Sequence, residues 1–199
     1  MRKFFLLVFL PALFSFIHAN PLTDAERKFA VDYLKQTQAE LVAAVHGLSD
    51  AQLRFKPAPD RWSILECVQH VTLASQNLWE RQQIAVKQPN DSNRAATLSD
   101  ETLIKIGEDR THKTQAPEYF EPVHSPYKTF GETLQAFNKE RNELIDYVKT
   151  SQDDMRAHFI KLQVGVVDSY QCILAISAHT DRHVQQINEV RADPDFPKQ

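Results

Sequence analysis

The sequence predicts an all-α protein, a four-helix bundle with one long crossover between helices 2 and 3. Three observations carry this. Four stretches repeat apolar residues at helical spacing, each opens with a capping signature, and a connection rich in proline, residues 88–126, separates the middle two. No internal repeat, low-complexity tract or alternating strand pattern interrupts them.

In a capping box the first side chain accepts a backbone N–H, and the acid or amide three residues on reaches back to the cap. Thr23 with Glu26 opens the first helix, which runs to about Gly47 with Phe29, Tyr33, Leu41, Ala44 and Leu48 on one side. Pro57 and Pro59 then break the chain. Ser63 with Glu66 opens the second helix, which runs to about Lys87. The crossover carries Pro89, Pro117, Pro122 and Pro126 and has room for a short helix near Leu98–Gly107. Its length lets the second and third helices run parallel, whereas short loops force antiparallel neighbours. Thr129 with Glu132 opens the third helix, whose stripe is Leu134, Phe137, Leu144, Ile145 and Val148. Asp168 with Gln171 opens the fourth, and Asp193-Pro194 ends it.

Composition narrows the function classes. With 23 basic and 26 acidic side chains in 199 residues the formal charge is −3, which offers no broad basic footprint for nucleic acid. Two cysteines are too few for a disulfide scaffold or a cysteine-only zinc site. Eight histidines call for an explanation.

Residues 1–19 read as a secretory signal peptide. Arg2 and Lys3 precede an apolar run from Phe4 to Ile17, and Ala19 offers a small residue at the cleavage point. That run is shorter than the roughly 18 apolar residues a bilayer span needs. Residues 20–199 are then one exported domain, periplasmic or extracellular, that meets a membrane only in transit. Without Arg2 and Lys3 its formal charge falls from −3 to −5.

His179 and His183 stand four residues apart on the fourth helix, about 40° apart in projection, so two imidazoles can reach one ion. They point into the stripe that holds Ala175, Ile176, Ile187 and Val190 rather than into water. On the second helix His70 shares its face with Leu73, Ala74, Leu78 and Ile84. Buried imidazoles need a hydrogen bond or a metal. Two readings follow from the pattern alone: separate core histidines, each satisfied locally, or three ligands of one ion. Three neutral imidazoles suit zinc with an open position, and nickel or ferrous iron are also compatible with imidazole.

The segment Arg61-Trp62-Ser63-Ile64-Leu65-Glu66-Cys67-Val68-Gln69-His70 resembles the start of the second helix in DinB-like proteins. His179-Thr180-Asp181-Arg182-His183-Val184-Gln185-Gln186-Ile187 resembles their His-x2-Arg-His-x2-Gln-Ile signature, and the tail Asp193–Pro197 is similar too. The resemblance covers essentially all of residues 20–199. It implies a four-helix bundle, often a homodimer, that binds a divalent metal through three histidines, here His70, His179 and His183. It also implies either a metal-dependent hydrolase or a metal-dependent small-thiol S-transferase acting on a small molecule. Export favours the hydrolase, because oxidising compartments hold little free small thiol. A non-catalytic metal- or ligand-binding bundle is the further alternative.

Several other side chains stand near these histidines in sequence. Glu66 lies one turn before His70 and is a candidate base, although it also completes the box with Ser63. Asn77 and Arg81 are placed to line a pocket and Gln186 lies one turn after His183, with support of the ligands or an interface as the alternative for all three, whereas Asp181 lies about 200° from His179 and points away. None of them receives a catalytic role from the sequence. Cys67 and Cys172 read as buried thiols, since an axial offset of at least ~6 Å between their helices argues against a disulfide. His46, His112, His124 and His158 read as surface residues at helix ends or in loops, with His112 and His124 possible at a pocket mouth. Trp62 and Trp79 read as packing anchors.

Overall fold

The computed structural model describes residues 21–91, 93–112 and 115–198. The leader expected over residues 1–19 lies outside the described residues. In chain order the elements are α1 Asp24–Val45, α2 Asp50–Arg54, α3 Ile64–Ala85, α4 Asp100–Glu108, α5 Phe130–Thr150, β1 Phe159–Leu162, β2 Gly165–Asp168 and α6 Ser169–Arg191. All four expected capping boxes form, at Thr23, Ser63, Thr129 and Asp168. No described helix is long and apolar enough to cross a membrane.

The helix pairings fix the directions of the bundle. Ser75 bonds Glu140 and Gln82 bonds Tyr147, so α3 and α5 run parallel, as the crossover length allows. Glu26 meets Tyr170 and Ala44 meets Arg191, so α1 and α6 are parallel as well. His70 meets His179 while Leu78 meets Cys172, which makes α3 and α6 antiparallel. Arg27 with Val148 and Gln38 with Asn138 make α1 and α5 antiparallel.

Two apolar clusters fill the bundle, one around Leu34, Leu144 and Ile173 and the other around Leu41, Phe137 and Ile187. Between them lies a buried polar layer to which all four long helices contribute. Arg141, fully buried, donates to Leu34 O, to Thr37 Oγ1 at 3.0 Å and to Thr180 Oγ1 at 2.8 Å. Its neighbour Glu140 accepts from Ser75 at 2.8 Å. Burial lowers Arg141 to about 10, so it remains charged at neutral pH. These acceptors offset much of the cost of burying the charge, while Arg141 Nε has no partner among the described residues.

At the other charge centre, Arg156 gathers three helix N-termini. Its guanidinium bonds Glu26 in the first turn of α1, Asp100 at the start of α4 and Asp168 at the cap of α6, and it lies 4.2 Å over the Tyr170 ring. Carboxylates at helix N-termini complement the helix dipole, and a shared cation lets three of them converge.

Some expectations need correction. The described chain contains an antiparallel hairpin, β1 with β2, paired Ile160 to Val167 across the two-residue loop Gln163-Val164. Four-residue strands hold barely two alternations, too few to stand out, yet Ile160 and Val167 both enter the core. Gly165 leaves the loop at φ 133°, a region closed to other residues. α2, with a capping box of its own at Ser49, is likewise too short to show a period. Phe29 and Ile84, assigned to apolar faces, are exposed, whereas His158, assigned to the surface, is buried. α4 packs closely on α6: a Cβ placed on Gly107 would stand 2.6 Å from Ala178 Cβ.

The Arg156 cluster sets a pH dependence. Burial opposes ionisation of Glu26, but bonds from Thr23 and Arg156 outweigh it and hold the carboxyl below its ordinary range. The Arg156 bond foremost does the same for Asp100, whereas burial outweighs the bonds at Asp168 and raises it. The two depressed groups contribute stability that is complete above the unfolded carboxylate range of ~4–4.5 and is lost as pH falls through their folded values. Arg156→Ala is expected to cost about 2–4 kcal/mol at pH 7. Thermal melts of both proteins from pH 7 to 3 should show the gap between them shrinking below ~4.5, as the carboxylates gain protons.

Candidate metal centre

α3 brings His70, and α6 brings His179 and His183, to a single point. His70 Nε2 and His183 Nε2 each lie 3.2 Å from His179 Nε2, and one ligand atom from each of the three rings falls within 4.8 Å of the others. His70 and His183 are almost fully buried. The spacing His-x3-His does the local work on α6, and the antiparallel pairing with α3 delivers the third ring.

The outer nitrogens fix the tautomers. His70 Nδ1–H donates to the Phe120 carbonyl at 2.7 Å, and His183 Nδ1–H donates to Gln186 Oε1 at 2.9 Å. Both Nε2 atoms therefore present lone pairs toward His179 Nε2, which has at most one proton to share between them. A cation among the three nitrogens resolves that surplus of acceptors. Nitrogens ~2.0–2.1 Å from a tetrahedral zinc ion would stand about 3.3 Å apart, close to the two short separations here. Protons do not compete at neutral pH. Burial lowers His70, lowers His179 to about 3 with help from His70 and Arg182, and holds His183 well below the usual imidazole range. The donor set fits one divalent ion.

The triad lies in a cleft of about 1220 Å³. Trp62 forms one wall, its ring 4.7 Å from the His70 ring and 6.1 Å, nearly parallel, from that of His183. It is thus a wall of the site as well as a packing anchor; Trp79 packs edge-on against Tyr147. Asn77 and Arg81 line the cleft, as their spacing suggested, and Gln186 joins them. Glu66 does not: its carboxylate caps Ser63 N at 2.7 Å and pairs with Lys56 at 2.9 Å. Asp181 bonds Gln185 and also stays out. The exposed His112 and His124 do not reach the mouth. Cys67 and Cys172 are free and buried, with both thiols pushed up by burial, Cys172 to about 12, and neither joins the histidine group or lines the cleft.

Other parts of the cleft gave no sequence signal. Its carboxylates are Asp60 and Glu121, Arg110 follows α4, and Lys161 to Val164 come from the hairpin. Arg182 sits inside the histidine motif but carried no assignment. Glu121 follows the residue that orients His70, a relation visible only once the crossover folds back on α3.

Gln186→Leu keeps the bulk but removes the acceptor that holds His183. It is expected to weaken a divalent ion at the triad about 10- to 100-fold, read by competition with a chromogenic chelator. An unchanged affinity would separate Gln186 from the centre.

Comparison with known proteins follows the same lines. A DinB superfamily model matches residues 33–187. The uncharacterized protein YuaE of Bacillus subtilis (strain 168) is 24% identical over 151 residues, which spans 73% of this chain and 86% of that protein. Among solved structures, YfiT from Bacillus subtilis aligns at a TM-score of 0.51 and 15% identity, covering 85% of this chain and 88% of that one. YfiT is described as a probable metal-dependent hydrolase with an unusual four-helix bundle topology.

Proposed function

This chain belongs to the DinB superfamily, and on that footing we propose that it is a metal-dependent hydrolase of a small ester or amide, with His70, His179 and His183 as the metal ligands. One observation carries the reading: three Nε2 atoms converge in an open cleft with the outer nitrogens of two rings already bonded. A divalent ion held by three imidazoles lowers the pKa of bound water toward ~7 and polarises a carbonyl. Zinc is the expected ion. YfiT, similar in fold, is described as a probable metal-dependent hydrolase, with no bond class named.

The chain's own groups supply the rest. Phe120 O and Gln186 orient two of the rings, and Trp62 packs against the same two. A proton acceptor would come from Glu121 or Asp60, the carboxylates that line the cleft. Export, read from residues 1–19, supports hydrolysis over thiol transfer, because small thiols are scarce outside the cytosol.

The test starts with metal analysis of residues 20–199 beside His179→Ala, followed by a panel of chromogenic esters and amides. About one equivalent of metal and measurable turnover are expected, both lost in the variant. Glu121→Gln or Asp60→Asn should lower kcat about 10²- to 10⁴-fold with metal content unchanged. No metal after reconstitution would overturn the reading. Turnover that requires an added small thiol would replace hydrolysis with thiol transfer.

A further inference from the structure

The charge of the cleft runs opposite to that of the chain. The protein as a whole carries a formal −3, yet among the described residues Arg61, Arg81, Arg110, Lys161 and Arg182 line the cleft against Asp60 and Glu121. Two of these cations share the cleft with the imidazoles. Arg182 lies between His179 and His183 on α6, and Arg110 follows the end of α4. Arg110 is held by Glu189 through Nε and one terminal nitrogen, and Arg182 donates one terminal nitrogen to His112 O. Each guanidinium has five N–H donors, so both keep donors without a partner among the described residues.

Three neutral imidazoles bring no negative charge to a dication. A divalent ion in a cleft with Arg182 and the Glu189-paired Arg110 is therefore a net positive centre that an external anion would relieve. The rim of the cleft has a different character. Ile106 on α4, Tyr119 on the crossover and Val164 in the hairpin loop line it while 43%, 63% and 40% exposed. Apolar side chains gathered from three segments around a concave mouth mark a binding surface.

We propose that the substrate of this cleft carries an anionic group, a carboxylate or a phosphate, seated against Arg110 and Arg182, and an apolar segment that lies along Ile106, Tyr119 and Val164. The word substrate rests on the hydrolase reading; the binding chemistry does not. A charge-assisted contact to guanidinium supplies orientation as well as affinity, placing the rest of the molecule relative to the triad.

Calorimetric titration of the full chain with octanoate, octyl phosphate and 1-octanol tests this, in metal-loaded and chelator-treated protein. The two anions should bind at least about tenfold tighter than the alcohol in both forms, and that preference should fall with added salt. Arg110→Gln and Arg182→Gln should each remove most of the preference while leaving 1-octanol binding unchanged, which also reports that the variant is folded. Whichever of octanoate and octyl phosphate binds tighter identifies the anion. Equal affinity for all three compounds would overturn the proposal. So would a preference that disappears with the metal and ignores both arginines, because the ion itself would then hold the anion. An arginine-dependent preference in a protein that takes up no metal would support the anion site while overturning the hydrolase.

Discussion

A charge buried at the middle of the bundle sets the register of everything around it. Arg141 reaches from α5 to α1 through Leu34 and Thr37 and to α6 through Thr180, while Glu140 beside it takes Ser75 of α3. Sliding any one of these helices by a turn would strand a donor or an acceptor in an apolar interior, where an unmatched charge is costly. Apolar packing on either side tolerates small shifts; this layer does not. Thr180 is the residue after His179, so the same layer that fixes α6 along the bundle axis also fixes the height at which its imidazoles meet His70.

The site thus depends on interactions at three levels. Helix spacing puts His179 and His183 on one face, bundle register brings His70 opposite, and the returning crossover locks His70 through the Phe120 carbonyl. Arg156 contributes from the far side of the chain, since it ties the start of α6 to the starts of α1 and α4. α4 in turn carries Ile106 and Gly107 into the cleft wall. Stability and site geometry are coupled through the same few charged side chains.

Much of this was legible in the sequence because it is local. Capping boxes are three-residue relations, and helical stripes are periodic, so Thr23, Ser63, Thr129 and Asp168 announce their helices. His70, His179 and His183 stand out because histidines on apolar stripes are expensive. What escaped is what depends on contacts between distant segments. The hairpin is shorter than its own period can reveal. His158 is buried by the way the chain turns into that hairpin, whereas Ile84 faces water although its helical position matches the stripe. Glu121, Arg110 and Lys161 reach the cleft from the crossover and the hairpin, where no period fixes the direction of a side chain.

Gly107 helps set a dimension of the cleft. Its backbone rests so closely on Ala178, the neighbour of His179, that a single added methyl group would meet the Ala178 methyl at 2.6 Å. The last turn of α4 can lie this close to α6 only because residue 107 has no side chain. Any larger residue there would press this wall of the cleft outward, so the width of the opening beside His179 is set in part by a missing methyl group.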